Sequence, residues 1–533
     1  MKVIYILLFC CFFLGSNSKA QINSTYLSHN NVSVFLSDAG TYFYNYDALE
    51  LGYEVPKGFE IRPIYLAQFW FGGKDVNDSI HLIIGGYPGY GSDVFNGPAS
   101  AQFTYDTPSY QTQWGNSIWS ICQSEIDLFK NWWACENGLI SAGCNSIILP
   151  PEVEMKINSW PAHGDVSMGQ SYWLAPFFDY NSDGTYNPMD GDYPLIKGCC
   201  ATYMIQNDMA NFHIYSATDP IGLELHLMFY QYHTSNYLDD ATFVDITAIN
   251  RGNTSYPEFA FGMMVDADLG AYYDDYIGCD TANNIMYFYN GDNQDETFLS
   301  GYGPNPPALG IVGLRDPFTT SAPYIPGGSA SGSFSLETWN IMQGIQSYGV
   351  PWLDTQGLPT KFVYSGKPTD TTAWTEITSL NPPGDRKGIA ATAIQNFEPG
   401  DTITQTYAIL YVRNGNYLEN ANQIIDLAAE VKTFYDTQSD IACQSNGFWN
   451  TTELSNNSFL ISPNPAHSLI EVSAAGQQIQ KVQVLNAHGR KVFETNTKTN
   501  NNITLDMSKY PRGVYFIELQ TERGSAIEKL VLE

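Results

Sequence analysis

Positive charge is scarce in this chain. Its 533 residues carry 24 Lys+Arg against 55 Asp+Glu, a formal charge of −31. Such a surface repels nucleic acid and anionic lipid, which disfavours both as partners, and it attracts cations. The usual marks of catalysis are also missing. There is no His-Glu-x-x-His, no phosphate-cradling glycine loop and no Gly-x-Ser-x-Gly; Gly327-Gly-Ser-Ala-Ser-Gly332 misses that last pattern and reads as a loop. No Cys-x-x-Cys pair or suitably spaced histidine argues for zinc. The 8 histidines are scattered, and His213, His226 and His233 lie in strand-like apolar sequence, where a structural role is the expectation. Charged residues make up only 15% of the chain and aromatics 14%, the reverse of a disordered composition. The longest apolar run, Val3 to Leu14, is too short for a membrane span, and no other segment is expected to cross a bilayer.

That run follows Lys2 and precedes Ser18-Lys19-Ala20, so residues 1–20 read as a signal peptide with the mature chain starting at Gln21. Export permits disulfides. Seven cysteines remain: Cys122, Cys135, Cys144, Cys199, Cys200, Cys279 and Cys443. One pair among the first three is expected, and an odd count leaves a thiol over.

The most informative stretch runs from Asp179 to Asp192. Asp179, Asn181, Asp183, Asn187 and Asp190 place oxygen-bearing side chains at loop positions 1, 3, 5, 9 and 12, Thr185 offers its carbonyl at position 7, and Gly184 stands at position 6. This is the spacing of an EF-hand-like calcium loop. Calcium takes six to eight oxygens at roughly 2.3–2.6 Å, and it would neutralise three crowded carboxylates. The plainer alternative is a solvated Asx/Gly turn. Asp190 stands where a sensor hand has Glu, and Pro188 opposes an exit helix. A structural site of the dockerin type fits better than a helix–loop–helix switch. Asp266, Asp268, Asp274, Asp275 and Asp280 form a second acidic group, open to three readings: a further calcium site, a solvated loop, or a carboxylate pair for glycoside hydrolysis. Negative neighbours oppose thiolate formation at Cys279. Seven tryptophans, Trp70, Trp114, Trp119, Trp132, Trp133, Trp160 and Trp173, are core candidates that would stack on sugar rings if exposed.

Many Gly, Pro, Asn, Thr and Tyr favour strands and turns, so the expected class is mainly β: a sandwich-rich body with few helices. The expected divisions are an N-terminal β-rich region with the calcium loop (21–240), a sandwich-like region (241–455) and a small C-terminal domain (456–533). Leu223, Leu225, Leu227 and Phe229 alternate on one face, and 243–249 and 259–265 continue them as an antiparallel meander. Helices are expected over 120–135 and over 422–435, the latter capped by Asn422, with a long connection at 301–335 and a linker near 450–458. The last domain carries 8 Lys+Arg and 7 Asp+Glu, so its charge is +1 and the remainder holds −32. Six or seven short strands punctuated by turns such as Ala487-His-Gly489 give it an Ig-like sandwich.

Within it, Ser462-Pro463-Asn464-Pro465-Ala466, Val484-Leu-Asn-Ala-His-Gly489-Arg490, Arg512-Gly513-Val514-Tyr515-Phe516 and the closing Lys529-Leu530-Val531 are similar to the C-terminal sorting domain of the type IX secretion system. The resemblance implies export by the type IX machinery. It further implies removal of the domain, and release of the mature protein or its attachment to surface lipopolysaccharide. In the body, Trp160-Pro161, Gly191-Asp192-Tyr193-Pro194 and Asn207-Asp208 resemble large secreted proteins with the same tail, which implies shared architecture and nothing catalytic. The expectation is therefore a secreted or outer-membrane-surface protein, calcium-stabilised, acting in adhesion, binding or envelope structure, with extracellular glycan as a partner class. The alternative is a secreted glycan-active hydrolase using acidic residues.

Overall fold

In a computed structural model of the chain, residues 23–443 and 459–532 are described, apart from 46–47, 49, 88–90, 141–143, 145–146, 298–300, 325–333, 438–442, 475–477, 487–490, 500–501 and 522–523. The expected signal peptide at 1–20, the expected loop at 327–332, the linker at 450–458 and the turn at 487–489 lie outside the described residues. The chain divides into two compact units, 1–443 and 444–533.

The body is built on two antiparallel sheets. The first runs Ser24–Leu27, Ser33–Ser37, Tyr53–Glu54, Ile64–Lys74, Tyr256–Ala267, Arg386–Phe397, Thr320–Pro323, with Ile80–Ile83 also paired to Ile64–Lys74. The second runs Phe95–Asn96, Cys200–Asn207, Leu223–Gln231, Thr242–Asn250, Thr402–Val412, Ala308–Gly313, Ile285–Asn290, Asp275–Asp280, with Ile118–Cys122 added beside Cys200–Asn207. Alternation explains the packing. Leu223, Leu225, Leu227 and Phe229 join Phe69, Phe71, Phe261 and Met263 in the core between the sheets, as the period of two predicts. Met228 and Tyr230, on the opposite face, pack in a second core with Ile424, Ala428 and Val431 of helix Tyr417–Thr437. The outer face of the first sheet buries Trp70 and Met264 with Trp339 and Met342 of helix Phe334–Met342. The central strands are thus buried on both faces, and their sequence reads as nearly continuous apolar runs.

Several expectations need correction. No division falls at 240/241, because strands from both sides of that point share both sheets. The meander ends after two strands: past Arg251-Gly252-Asn253 the chain crosses to the other sheet, and it crosses again at Glu398–Asp401. Residues 118–122 are a strand, and the helix begins at Gln123. The long helix starts at Tyr417. Asn416 caps it by accepting from the Leu418 and Glu419 amides at 3.1 and 3.0 Å while Glu419 accepts from the Asn416 amide at 2.9 Å, a reciprocal cap well before the expected Asn422. The 301–335 connection contains Gly303–Pro304, Ala308–Gly313 and Thr320–Pro323. Cysteine pairing goes beyond the one expected bridge: Cys135–Cys144 is joined by Cys122–Cys200 and Cys199–Cys443, and Cys279 is a buried free thiol.

The C-terminal unit holds seven strands in two sheets, Phe459–Ser462, Leu469–Ala474, Asn502–Asp506 and Lys491–Thr499, Ile479–Asn486, Gly513–Thr521, Gly524–Leu532. Val472, Val482, Val484, Ile517 and Leu530 are among its buried residues.

Candidate functional sites: an oxygen-rich loop, a cleft and an acidic crossover

The loop from Asp179 to Asp192 closes a short hairpin, Phe177–Phe178 against Tyr193–Pro194. A single turn at Pro188–Asp190 leads into the second strand, so no helix leaves the loop, as Pro188 predicts. The oxygen-bearing side chains organise the backbone. Asp179 accepts from the amides of Asp183 at 3.2 Å and Gly184 at 2.7 Å, Asn181 from Asp183 at 3.0 Å, Asp183 from Thr185 at 2.7 Å, and Asn187 from Met189 at 3.1 Å. Asn187 also donates to Asp190 at 2.6 Å. Gly184 has φ of +77°, which a Cβ would strain. Sequence reasoning missed the anchor, Asp192. Fully buried, it accepts from the amides of Tyr180 and Asn187, both at 2.8 Å, and ties the two ends of the loop together. Trp133 supports the loop from the helix Gln123–Glu136, donating to the Met189 carbonyl at 2.9 Å. The carboxylates of Asp179, Asp183 and Asp190 do not converge within 4.8 Å of one another in this arrangement.

The residues just outside that hairpin wall a cleft of about 430 Å³. Trp173, Leu174, Pro176, Leu195 and Lys197 form its sides, and Tyr203, His226, Asp245 and Thr247 lie on its floor. Trp173 is 58% exposed, whereas Trp70, Trp114 and Trp160 are core residues. The floor holds a buried relay. Glu224 and His226 are two residues apart on one strand and so share a face. Glu224 accepts from Arg251 at 2.8 Å, from the Ala99 amide at 2.9 Å and from His226 Nε2 at 3.0 Å. An ionised carboxylate can only accept, so Nε2 carries the proton, and His226 Nδ1 accepts from the Tyr203 hydroxyl at 2.6 Å. Burial alone would raise the Glu224 pKa; the bonds and charges of His226 and Arg251 outweigh it and hold the carboxyl below its ordinary range. Burial, with the Glu224 charge, pushes the Tyr203 phenol well up. His226 is therefore fully hydrogen-bonded, as are His213 (Leu82 and Asp208 carbonyls, 2.6 and 2.9 Å) and, at Nδ1, His233 (Asp239, 2.8 Å). The cleft is lined by one carboxylate, Asp245, which is ion-paired to Lys197.

The second acidic group splits. Asp266 and Asp268 converge with Asp385, and Asp274 converges with Asp295 and Glu296. Asp385, Asp295 and Glu296 come from distant sequence, which spacing could not reveal. Asp275 is buried beside Asp274 at the head of its strand. Asp280 stands apart, five residues down that strand, about 16 Å away at ~3.3 Å per residue, and accepts from the Asn283 amide at 2.8 Å. Asp266 and Asp275 are buried, which does not suit a fully solvated loop, while Asp268, Asp274 and Asp280 are half-buried. Burial pushes Asp266 up to about 6, against the pull of its Lys387 partner. Burial, then the charges of Asp266 and Asp385, push Asp268 up to about 7.

These shifts set a pH dependence. Between the ordinary value of 3.8 and about 7, folded Asp268 holds a proton that the unfolded chain releases, so stability falls as pH rises through that window. In chelator, Asp268→Asn is expected to flatten the decline in melting temperature between these limits. An unchanged slope would show that this carboxyl titrates normally.

The tail is a seven-stranded sandwich carrying the Arg512-Gly513-Val514-Tyr515-Phe516 motif, the class of a small export module. Residues 460–533 match the family described as the secretion system C-terminal sorting domain, so this part of the chain is a type IX sorting domain. Such a domain engages the type IX machinery and marks a secreted or outer-membrane-surface protein. Among the described residues no helix is long and apolar enough to cross a membrane. A search of curated proteins finds no match. Among solved structures, the chain is similar to a polysaccharide lyase (7% identity, TM-score 0.19), covering 58% of this chain and spanning 34% of the lyase. It is also similar to a provisionally assigned aldose 1-epimerase from Escherichia coli K12 (10%, TM-score 0.23, 74% of this chain and 100% of that one). The BSP domain of a biofilm-associated protein is a third (9%, TM-score 0.14, 96% and 80%). At such scores these likenesses carry no argument.

Proposed function

We propose that the body is a calcium-stabilised extracellular binding protein, delivered by the type IX route, which holds a glycan in the cleft beneath the 179–192 loop. One observation carries this reading: the hairpin that closes the loop continues directly into the walls of the cleft, where Trp173 presents an exposed ring beside Lys197, Asp245 and Thr247. An aromatic face with polar groups around it suits a sugar ring, whose C–H face stacks while its hydroxyls hydrogen-bond. Calcium in the loop, through Asp179, Asn181, Asp183, Thr185, Asn187 and Asp190, would fix that wall, as carboxylate and carbonyl oxygens suit a hard cation. Adhesion follows from such binding at the cell surface, where the tail-free protein would be joined to lipopolysaccharide or released.

The test is a panel of extracellular polysaccharides, measured for both binding and cleavage. Trp173→Ala is expected to weaken the bound glycan about tenfold, since an aromatic contact worth about 1.4 kcal/mol corresponds to that factor. Binding that survives the substitution would move the ligand elsewhere. Release of new chain ends from a bound glycan would replace binding with the hydrolase alternative.

A further inference from the structure

The crossover at 268–274 carries the chain from one sheet of the body to the other. Beside it Gln294–Asp295 pairs with Gly303–Pro304. Three carboxylates meet between them: ligand oxygens of Asp274, Asp295 and Glu296 all lie within 4.8 Å of one another. Calcium takes oxygens at about 2.4 Å, so oxygens no more than about 4.8 Å apart can share one ion.

The surroundings are built around this point. Asp295 is fully buried and accepts from the Ala271 amide at 3.0 Å and from the Tyr302 amide. The backbone is wrapped so closely that a Cβ at Gly270 or Gly301 would stand 2.1 or 2.2 Å from its carboxylate oxygens. Asp274 receives one bond, from Asn290 at 3.1 Å, and its Oδ1 is buried without a partner, as is Glu296 Oε2. Behind them Asp275, with no solvent exposure, accepts from the Leu269 amide at 3.1 Å through Oδ2 while its Oδ1 has no partner. Its charged neighbours include Asp274, Asp295 and Asp268, and the Arg386 charge also acts on it. Among the described residues no lysine or arginine forms an ion pair with any of these four carboxylates; the Arg413 guanidinium is committed to the carbonyls of Tyr302, Pro304 and Asn305. Buried carboxylates with orphaned oxygens need either a counter-charge or a proton. The nearby cations are engaged elsewhere: Arg413 acts on Asp295 through its charge alone, and Arg386, near Asp275, is ion-paired to Glu376, while the facing atoms are hard oxygens.

We propose that Asp274, Asp295 and Glu296 bind a divalent cation of the calcium class, with Asp275 reinforcing the negative field from behind, and that the ion pins the crossover to the paired strands beside it. This site is separate from the 179–192 loop and does not depend on the proposed function.

The experiment uses the mature secreted protein in an Asp183→Ala background, which silences the loop. Calcium binding is measured by calorimetry, and terbium luminescence is excited through tyrosine, with Tyr273 beside Glu296 as the donor. One calcium per chain is expected to remain. Glu296→Gln and Asp274→Asn, which preserve shape, are each expected to weaken it at least tenfold and to abolish the calcium-dependent rise in melting temperature. Asp268→Asn is expected to leave it unchanged. Circular dichroism confirms that each variant is folded, and Glu296→Gln, at a half-buried side chain, guards against a folding failure in Asp274→Asn. No calcium binding in the Asp183→Ala background, or affinity in both variants unchanged from that background, overturns the proposal and leaves a shared proton as the counter-charge. Loss in Asp268→Asn alone overturns it in favour of the Asp266–Asp268–Asp385 group.

Discussion

Glu224→Ala is expected to destabilise the body by about 3–5 kcal/mol, the cost of removing one partner of a buried charge network. The carboxylate lies in the interior of the second sheet with three donors on it, from Arg251, His226 and the Ala99 amide. Alanine leaves the buried His226 and Ala99 donors unanswered, each at a cost of about 1–3 kcal/mol, while the part-exposed Arg251 turns to water. The effect also reaches the cleft, because His226 loses the bond that fixes its tautomer and Tyr203 loses its aligned acceptor. Glu224→Gln keeps the shape and an acceptor oxygen but not the charge, and should fall between the two. Urea unfolding followed by tryptophan fluorescence reads the change as a lower midpoint at constant slope. A loss under about 1 kcal/mol would show that water reaches these groups in solution.

Calcium should raise the melting temperature of the body, and Asp183→Ala should remove the part of that rise owed to the 179–192 loop. A ligand at a thousandfold excess over its Kd stabilises the native state by about 4 kcal/mol. Asp183 is the residue to change because it lies at the centre of the loop: it accepts from Thr185, receives from Asn181 at 2.9 Å, and its own amide bonds to Asp179. Its side chain is exposed, so its removal has no core cost to confuse the result. Chelator lowering both proteins equally would assign the whole calcium effect to another site. No calcium effect in either would leave the loop as a self-capped turn.

The fold class and the tail were legible because they rest on local signals. Alternation in Leu223–Phe229 names the inter-sheet face, and the short strands and motifs of the tail lie close together in sequence. The boundary at 240/241 was not legible, because a strand's period says which face is buried but not which sheet it joins. Strands 242–250 and 256–267 look like consecutive hairpin partners, yet they lie in different sheets. The candidate sites divide the same way. The 179–192 loop is contiguous, so its oxygen spacing and its glycine turn can be read in the sequence, whereas Asp295, Glu296 and Asp385 reach the acidic crossover only through folding. Glu224 and His226 could have been found from the strand pattern: two polar residues on the same face of an otherwise apolar strand are a period-two signal for a buried network.

The bridge from Cys199 to Cys443 gives the body a mechanical property. Cys443 is the last residue of the first compact unit, and Cys199 immediately precedes strand Cys200–Asn207 in the nine-stranded sheet. A pull applied at the C-terminal end of the body therefore enters at Cys443 and passes across the sulfur bridge into the end of that strand. The strand is laced on both sides, to Leu223–Gln231 and to Ile118–Cys122, so the load meets rows of hydrogen bonds together. Helix Tyr417–Thr437, which would otherwise unwind first from its C-terminal end, lies off the line of force. For a chain held by that end against flow, the disulfide turns a structure that could be unzipped into one that must be torn.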